Sequence, residues 1–274
     1  MSNHPLIEVS NLSVGFNTKK GDTTVFSGLS FEIHAGETVC LVGESGSGKS
    51  VAAKSIMQLL PEATASYRKG QILFEGKDLL ALSEKEMDAI RGQQMAMIFQ
   101  DALSALNPVY TIGTQMVDVI RLHASPKLSR KGALAEAKQL LQQVEIRNVD
   151  EVMKQYPFQL SGGMRQRVMI AMALSSKPKL LLADEPTTAL DVTVQAHILK
   201  LIRRLKQQYG MTLLFITHDL GVVYEMADRV LVMNKGELVE QGTKEQIFTN
   251  PQHSYTRKLL NSMPRIYFKG EATK

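Results

Sequence analysis

Thr38-Val39-Cys40-Leu41-Val42-Gly43-Glu44-Ser45-Gly46-Ser47-Gly48-Lys49-Ser50 is the stretch on which the reading of this sequence turns. Its first five residues form a short apolar run of strand type. The helical pattern Val51–Leu60, closed by Pro61, follows its last residue. Between them stands the spacing G-x-x-x-x-G-K-S, in the strand-to-helix context that a phosphate-binding loop requires. Gly43, Gly46 and Gly48 let the backbone turn tightly enough for the amides through Glu44, Ser45 and Ser47 to face phosphate oxygens, and the following helix adds its positive end. Lys49 can reach the β and γ phosphates of a nucleotide, and the Ser50 hydroxyl can ligate Mg2+.

Two further segments extend this picture. Leu180-Leu181-Leu182-Ala183-Asp184-Glu185 is an apolar strand ending in carboxylates, which places Asp184 to hold Mg2+ and Glu185 to orient or deprotonate an attacking water. Just before it, Leu160-Ser161-Gly162-Gly163-Met164-Arg165-Gln166-Arg167 reads as a helix start with Ser161 as its cap. The glycine pair at 162 and 163 lets an anion approach the amides there. One active site does not need two such nests, so the second is expected to face the γ-phosphate held by another subunit.

Around these segments, strand patterns at residues 6–16, 24–33, 72–74, 95–99, 179–183, 212–216 and 229–233 alternate with helical ones at 192–208 and 220–226. A helix-rich stretch interrupts them, with apolar residues at helical spacing in Ile112–Leu122, Arg130–Val144 and Gly162–Ser175. Such alternation implies an α/β layer around a mostly parallel sheet. With 274 residues, 44% hydrophobic and 22% charged, the chain has room for one domain with an embedded subdomain, or for two small domains. No run approaches 18 apolar residues and Met1–Glu8 lacks the character of a signal, so the chain is expected neither to cross a membrane nor to be exported. The single cysteine, Cys40, excludes an internal disulfide or a multi-cysteine metal cluster and reads as a buried small hydrophobe. The net charge of +5 suits a nucleic acid or an anionic surface, and ordinary solubility equally; no basic stripe with interleaved aromatics points to nucleic acid as a partner.

Taken in order, these motifs resemble the ATPase subunits of ATP-binding cassette (ABC) transporters, whose signature LSGGQ stands here as LSGGM at residues 160–164. The resemblance covers roughly residues 6–260. It implies an α/β fold: a P-loop NTPase core with a mostly parallel sheet, an N-terminal antiparallel β subdomain and an embedded α-helical subdomain. Residues 1–250 would form the nucleotide-binding domain, about 101–170 its helical subdomain, and 251–274 a C-terminal extension. It implies ATP and Mg2+ as ligands, the metal falling to Ser50, Gln100 and Asp184. Phe16 looks like the aromatic that stacks on adenine, although a core position for it, or that role for Phe26 or Tyr67, is open from sequence alone. Gln100 looks like the glutamine that senses Mg2+ and water. Ala189-Leu190-Asp191 resembles the loop that communicates across a dimer, and His218 the histidine that contacts the γ-phosphate.

In that family two such domains pack head to tail. The implied partners are a second ABC ATPase, identical or homologous, two integral membrane permease subunits and, indirectly, an extracytoplasmic substrate-binding protein. The implied place is the cytoplasmic face of the cell membrane, reached peripherally through the membrane subunits. A finer resemblance, through Phe99–Pro108, Gln159–Leu174, Ala183–Thr193 and Asn250–Thr256, is to the ATPases of peptide, nickel and glutathione importers. Many members carry cluster-binding cysteines beyond the last of these stretches; this sequence has none there. The basic segment Arg257–Lys274 reads as a frayed, solvated end. A soluble ABC ATPase acting on nucleic acid or ribosomes is the rival class, but the coiled-coil insertions, zinc modules or tandem cassettes such proteins tend to carry have no room in this sequence.

Overall fold

The structure is a computed structural model and describes residues 4–19, 21–124, 126–188 and 190–262. The chain divides into two compact units, Met1–Leu82 with Leu214–Lys274, and Ser83–Leu213. The first unit opens with β1 (Ile7–Thr18), β2 (Gly21–Ile33), β3 (Thr38–Val42), α1 (Lys49–Ile56), β4 (Ala65–Phe74) and β5 (Lys77–Asp78). The second holds α2 (Glu84–Asp88), β6 (Met95–Ile98), α3 (Ala102–Ala105), α4 (Ile112–His123) and α5 (Arg130–Gln143). It continues with α6 (Val149–Val152), α7 (Gly162–Leu174), β7 (Leu180–Asp184) and α8 (Val192–Tyr209). The chain returns through β8 (Thr212–Thr217) and completes the first unit with α9 (Leu220–Met226), β9 (Arg229–Asn234), β10 (Glu237–Thr243), α10 (Lys244–Thr249) and α11 (Ser254–Asn261).

In the first unit β1 is central to an antiparallel sheet of order β2-β1-β4-β5. Its inward residues, among them Ile7, Val9, Leu12, Val14, Phe26 and Ile33, are buried. The strand that feeds the phosphate loop, β3, is buried at every position and pairs in parallel with β9, which pairs antiparallel with β10. Burial of all its residues is why β3 reads as a continuous apolar run and not as an alternation. Its entry is fixed by polar contacts: the Thr38 amide donates to Asp228 Oδ2 (2.7 Å), and Arg229 donates to Glu37 (3.1 Å). Cys40 lies in this strand, fully buried, and burial with the nearby Asp228 charge pushes its thiol far above the usual range.

The second unit is organised by α7. Val168, Met169, Ile170, Ala171 and Leu174 are all buried, and the helix packs against α3, α4, α5, α8 and β6. A helix with this many buried sides belongs inside its unit and has no solvent stripe to reveal it. Beside it β6 and β7 pair in parallel from Met95↔Leu180 to Ile98↔Ala183.

Several elements depart from the sequence reading. The strand expected at residues 72–74 begins at Ala65, because the polar run Ser66–Gln71 is recruited by pairing with β1 and so shows no apolar alternation. The first helix starts at Lys49 and ends at Ile56 instead of reaching Leu60: Gln58 takes a left-handed φ of 49° and its side chain donates to the Leu79 carbonyl. The basic end is corrected in part. Arg257–Asn261 belongs to α11, with Leu260 buried; residues 263–274 lie outside the described residues. Among the described residues no helix is long and apolar enough to cross a membrane.

Gly70 marks where β4 shifts register against β1, with φ +94°. A Cβ there would lie 2.5 Å from Leu12 Cα and 2.6 Å from the Asn11 backbone. Gly70→Ala is therefore expected to lower unfolding free energy by about 2–3 kcal/mol through strain and backbone overlap. Chemical denaturation checks this, and an unchanged midpoint would contradict it.

Candidate functional site

In the first unit the loop between β3 and α1 is shaped by what stands behind it. Gly43 has φ +153°, and a Cβ on it would lie 2.1 Å from the Met233 carbonyl oxygen of β9, so only glycine allows the close approach. The Gly236 amide donates to the Ser47 carbonyl (3.2 Å), tying the loop to the β9–β10 turn. Gly48, in the left-handed region, is the N-cap of α1 and leaves the helix start without a side-chain cap. Helix starts with such uncapped amides attract anions. Lys49 is 5% exposed and its ammonium donates to the Gly43 (2.8 Å) and Glu44 (3.0 Å) carbonyls, oxygens that hold it where phosphate oxygens would compete for it. Ser47 Oγ is buried with no hydrogen-bond partner. The loop thus has the composition of a phosphate cradle: one ammonium, glycine turns and an unsatisfied hydroxyl.

The other predicted residues of this unit lie around its sheets. Phe16 is half-buried near the end of β1, paired with Thr23 and Ala65; Phe26 is spent in the core. Tyr67 is half-buried, its hydroxyl donating to the Ser55 carbonyl (3.4 Å). His218 is exposed between β8 and α9. The next residue, Asp219, caps α9 by accepting the Gly221 (2.8 Å) and Val222 (3.3 Å) amides.

In the second unit β6 and β7 deliver Gln100, Asp184 and Glu185 side by side. Asp184 ends β7 and is 3% exposed. Glu185, the next residue, has φ +44°, a left-handed conformation that an unbranched acidic residue adopts at a cost and that recurs at functional turns. Its Oε2 accepts from Gln100 Nε2 (3.2 Å) and from the Thr188 hydroxyl (2.9 Å). Thr188 was not among the residues singled out from the sequence; its position three residues beyond the carboxylate it orients is the only local sign. Oxygen donors such as Gln, Asp and Ser suit Mg2+, which takes one or two carboxylates together with phosphate oxygens. No cluster of three or more His, Cys, Asp or Glu able to hold a metal occurs among the described residues.

The second glycine-rich segment opens α7 as read. Ser161 is the N-cap and its Oγ accepts the Met164 amide (3.3 Å). Gly163 has a packing reason besides ligand approach, since a Cβ would sit 2.8 Å from Val194 Cγ1 of α8. Asp191 caps α8 by accepting the Val194 amide (2.9 Å), and Ala189 of the same loop lies outside the described residues. Behind α7, Arg167 donates to the Val144 carbonyl (2.7 Å) and to Glu145 (2.9 Å), whose other oxygen accepts from Arg204 of α8 (3.0 Å). Glu145, with φ +62°, thus clasps α7 and α8 to the end of α5.

Comparison with known proteins bears on these segments. Residues 26–188 match the family described as ABC transporter, and residues 239–274 match the oligopeptide/dipeptide transporter C-terminal region. The oligopeptide transport ATP-binding protein OppD of Bacillus subtilis is 50% identical over 266 residues, 97% of this chain and 74% of that protein. The peptidoglycan transport ATP-binding protein YejF of Agrobacterium fabrum is 54% identical over 261 residues, 95% of this chain; the chain spans about half of that relative's length, 47%. Among solved structures, the dimeric post-hydrolysis state of the ATP-binding cassette MJ0796 bound to ADP and Pi superposes with a TM-score of 0.78 at 26% identity, over 87% of this chain and 98% of that one.

The Glu145 clasp gives a pH dependence. Partial burial raises its carboxyl, but hydrogen bonding and charge from Arg167 and Arg204 outweigh that and hold it below the usual range. A carboxylate depressed in the folded state contributes stability above its unfolded pKa of about 4.3 and loses it as pH falls through the folded value. Glu145→Gln is expected to be less stable than the wild type at pH 7, with the gap closing below about pH 4.3. Urea denaturation across pH tests it, and a gap independent of pH would refute it.

Proposed function

This chain belongs to the ABC transporter family as an ATP-binding subunit related to peptide and glutathione importer ATPases, and from that premise we propose that it hydrolyses ATP to power uptake of oligopeptides or dipeptides. The observation that carries the catalytic part is the Gln100–Glu185–Thr188 arrangement at the ends of β6 and β7, a carboxylate held in place by two donors. The peptide part is supported by the match of residues 239–274 to the oligopeptide/dipeptide C-terminal region. Nickel or glutathione import by the same motor is the second reading.

In the proposed cycle the phosphates of ATP lie in the loop of residues 43–50, bound by Lys49 and by loop amides beyond Glu44, whose own N–H is taken by Tyr255, and Phe16 stacks on adenine. Ser50, Gln100 and Asp184 would hold Mg2+, which supplies charge neutralisation at the phosphates. The Ser161–Gly163 turn of a second ATPase, identical or homologous, closes on the γ-phosphate, and Asp191 communicates across the pair. Water attacks the γ-phosphorus in line as its bond to the ADP oxygen breaks, Glu185 takes the water's proton, and His218 keeps the water placed. No covalent intermediate forms. We place the helical subdomain, about 101–170, against two integral membrane permease subunits on the cytoplasmic face, with an extracytoplasmic binding protein delivering the cargo.

Glu185→Gln in the assembled transporter is expected to bind ATP as the wild type does and to hydrolyse it on the order of 10²–10⁴-fold more slowly. Unchanged turnover would remove Glu185 from the base role. For the cargo, proteoliposomes holding the complete transporter should accumulate labelled di- or oligopeptide on ATP addition. Accumulation of glutathione or a nickel chelate in place of peptide would transfer the assignment to the second reading.

A further inference from the structure

The C-terminal segment of the first unit returns to the phosphate loop. Tyr255, in the first turn of α11 and 9% exposed, accepts through its phenol oxygen the amide hydrogen of Glu44 at 3.0 Å. That amide shares a planar peptide group with the Gly43 carbonyl, which accepts the Lys49 ammonium at 2.8 Å. In a trans peptide the carbonyl and the N–H point to opposite edges. One peptide plane in the loop is therefore pinned from both sides, by Lys49 on one edge and Tyr255 on the other. The residue leading into this plane is glycine, whose freedom would otherwise let the plane rotate.

Tyr255 is held for this task. Its own amide donates to His253 Nδ1 (3.2 Å), and the Glu240 carboxylate accepts the Gln252 (2.6 Å) and His253 (3.0 Å) amides just ahead of α11. When Lys49 turns to phosphate oxygens it leaves the Gly43 carbonyl, and the phenol is then the contact that keeps the plane's N–H edge fixed.

We propose that Tyr255 is a positioning residue for nucleotide binding, acting through the Gly43–Glu44 peptide to hold the phosphate loop in its binding curvature while Lys49 changes partners. This rests on the ATP-binding reading above. It also assigns a task to the segment matched to the oligopeptide/dipeptide C-terminal region, within which Tyr255 lies.

The test is Tyr255→Phe in the full chain, which keeps the ring and removes the oxygen. A fluorescent ATP analogue should bind about three- to ten-fold more weakly, the range that loss of one ordinary hydrogen bond supports. In the assembled transporter KM for ATP should rise by the same factor while kcat at saturating ATP stays within about two-fold, the split expected when an interaction common to ground and transition state is lost. A lower unfolding temperature with unchanged nucleotide affinity would reduce Tyr255 to a packing residue and overturn the proposal, as would a fall in kcat alone. Hydrogen exchange at the Glu44 amide of the wild-type chain is an independent check that needs no variant: protection supports the contact and exchange at the open-loop rate overturns it. Wild-type protein that binds no nucleotide would remove the ATP-binding premise, and the proposal with it. Wild-type binding with equal binding by the variant overturns this proposal alone.

Discussion

A backbone carbonyl pressed into the place of a side chain is the constraint on which the first unit depends. The Met233 oxygen occupies the volume a Cβ would take at Gly43, so the phosphate loop and β9 approach more closely than any other residue would permit. From that contact the rest of the loop follows: the Gly236 amide on the Ser47 carbonyl, the left-handed Gly48 opening α1, and Lys49 folded back onto the loop's own carbonyls. The amides that attract anions at the front of the loop exist because backbone packs on backbone at its rear.

The second unit applies a different economy. A single helix, α7, carries a glycine pair at its start and an apolar body that meets α3, α4, α5, α8 and β6. Its first turn is only half-buried while the remainder is anchored, and Arg167 fastens it further through Glu145. Gly163 belongs to this anchoring, since a Cβ there would sit 2.8 Å from Val194 Cγ1 of α8. If its amide also meets a ligand, as proposed, the effects of a substitution there do not divide cleanly between stability and activity.

What could be read from the sequence was what local spacing determines. The loop at 43–50, the acidic strand end at 184 and 185, the Ser161 cap and the amphipathic α8 each depend on residues within a few positions of one another. The polar strand β4 could not be read, because its order comes from pairing with β1 more than fifty residues earlier in places, as at Gly15↔Ser66. The short helices α10 and α11 were missed for the related reason that their buried residues are few, and those of α10 are spaced by contact with β10 and β9. Thr188 and Tyr255 lie within the stretches Ala183–Thr193 and Asn250–Thr256, but no spacing within those stretches gives either a task. Their meaning lies in the partner each reaches, a carboxylate three residues away in one case and an amide 211 residues away in the other.

The first unit is built from both ends of the chain, and this imposes an order on its synthesis. Thr38 meets Asp228 across 190 residues, and β3 pairs only with β9 on that side. At translation rates of about 5–20 residues per second the strand that feeds the loop waits on the order of 10–40 s for its neighbour. The contiguous stretch Ser83–Leu213 has by then left the ribosome in full. A nascent chain therefore can gain its glycine-opened helix before the strand pairing behind the 43–50 loop can form.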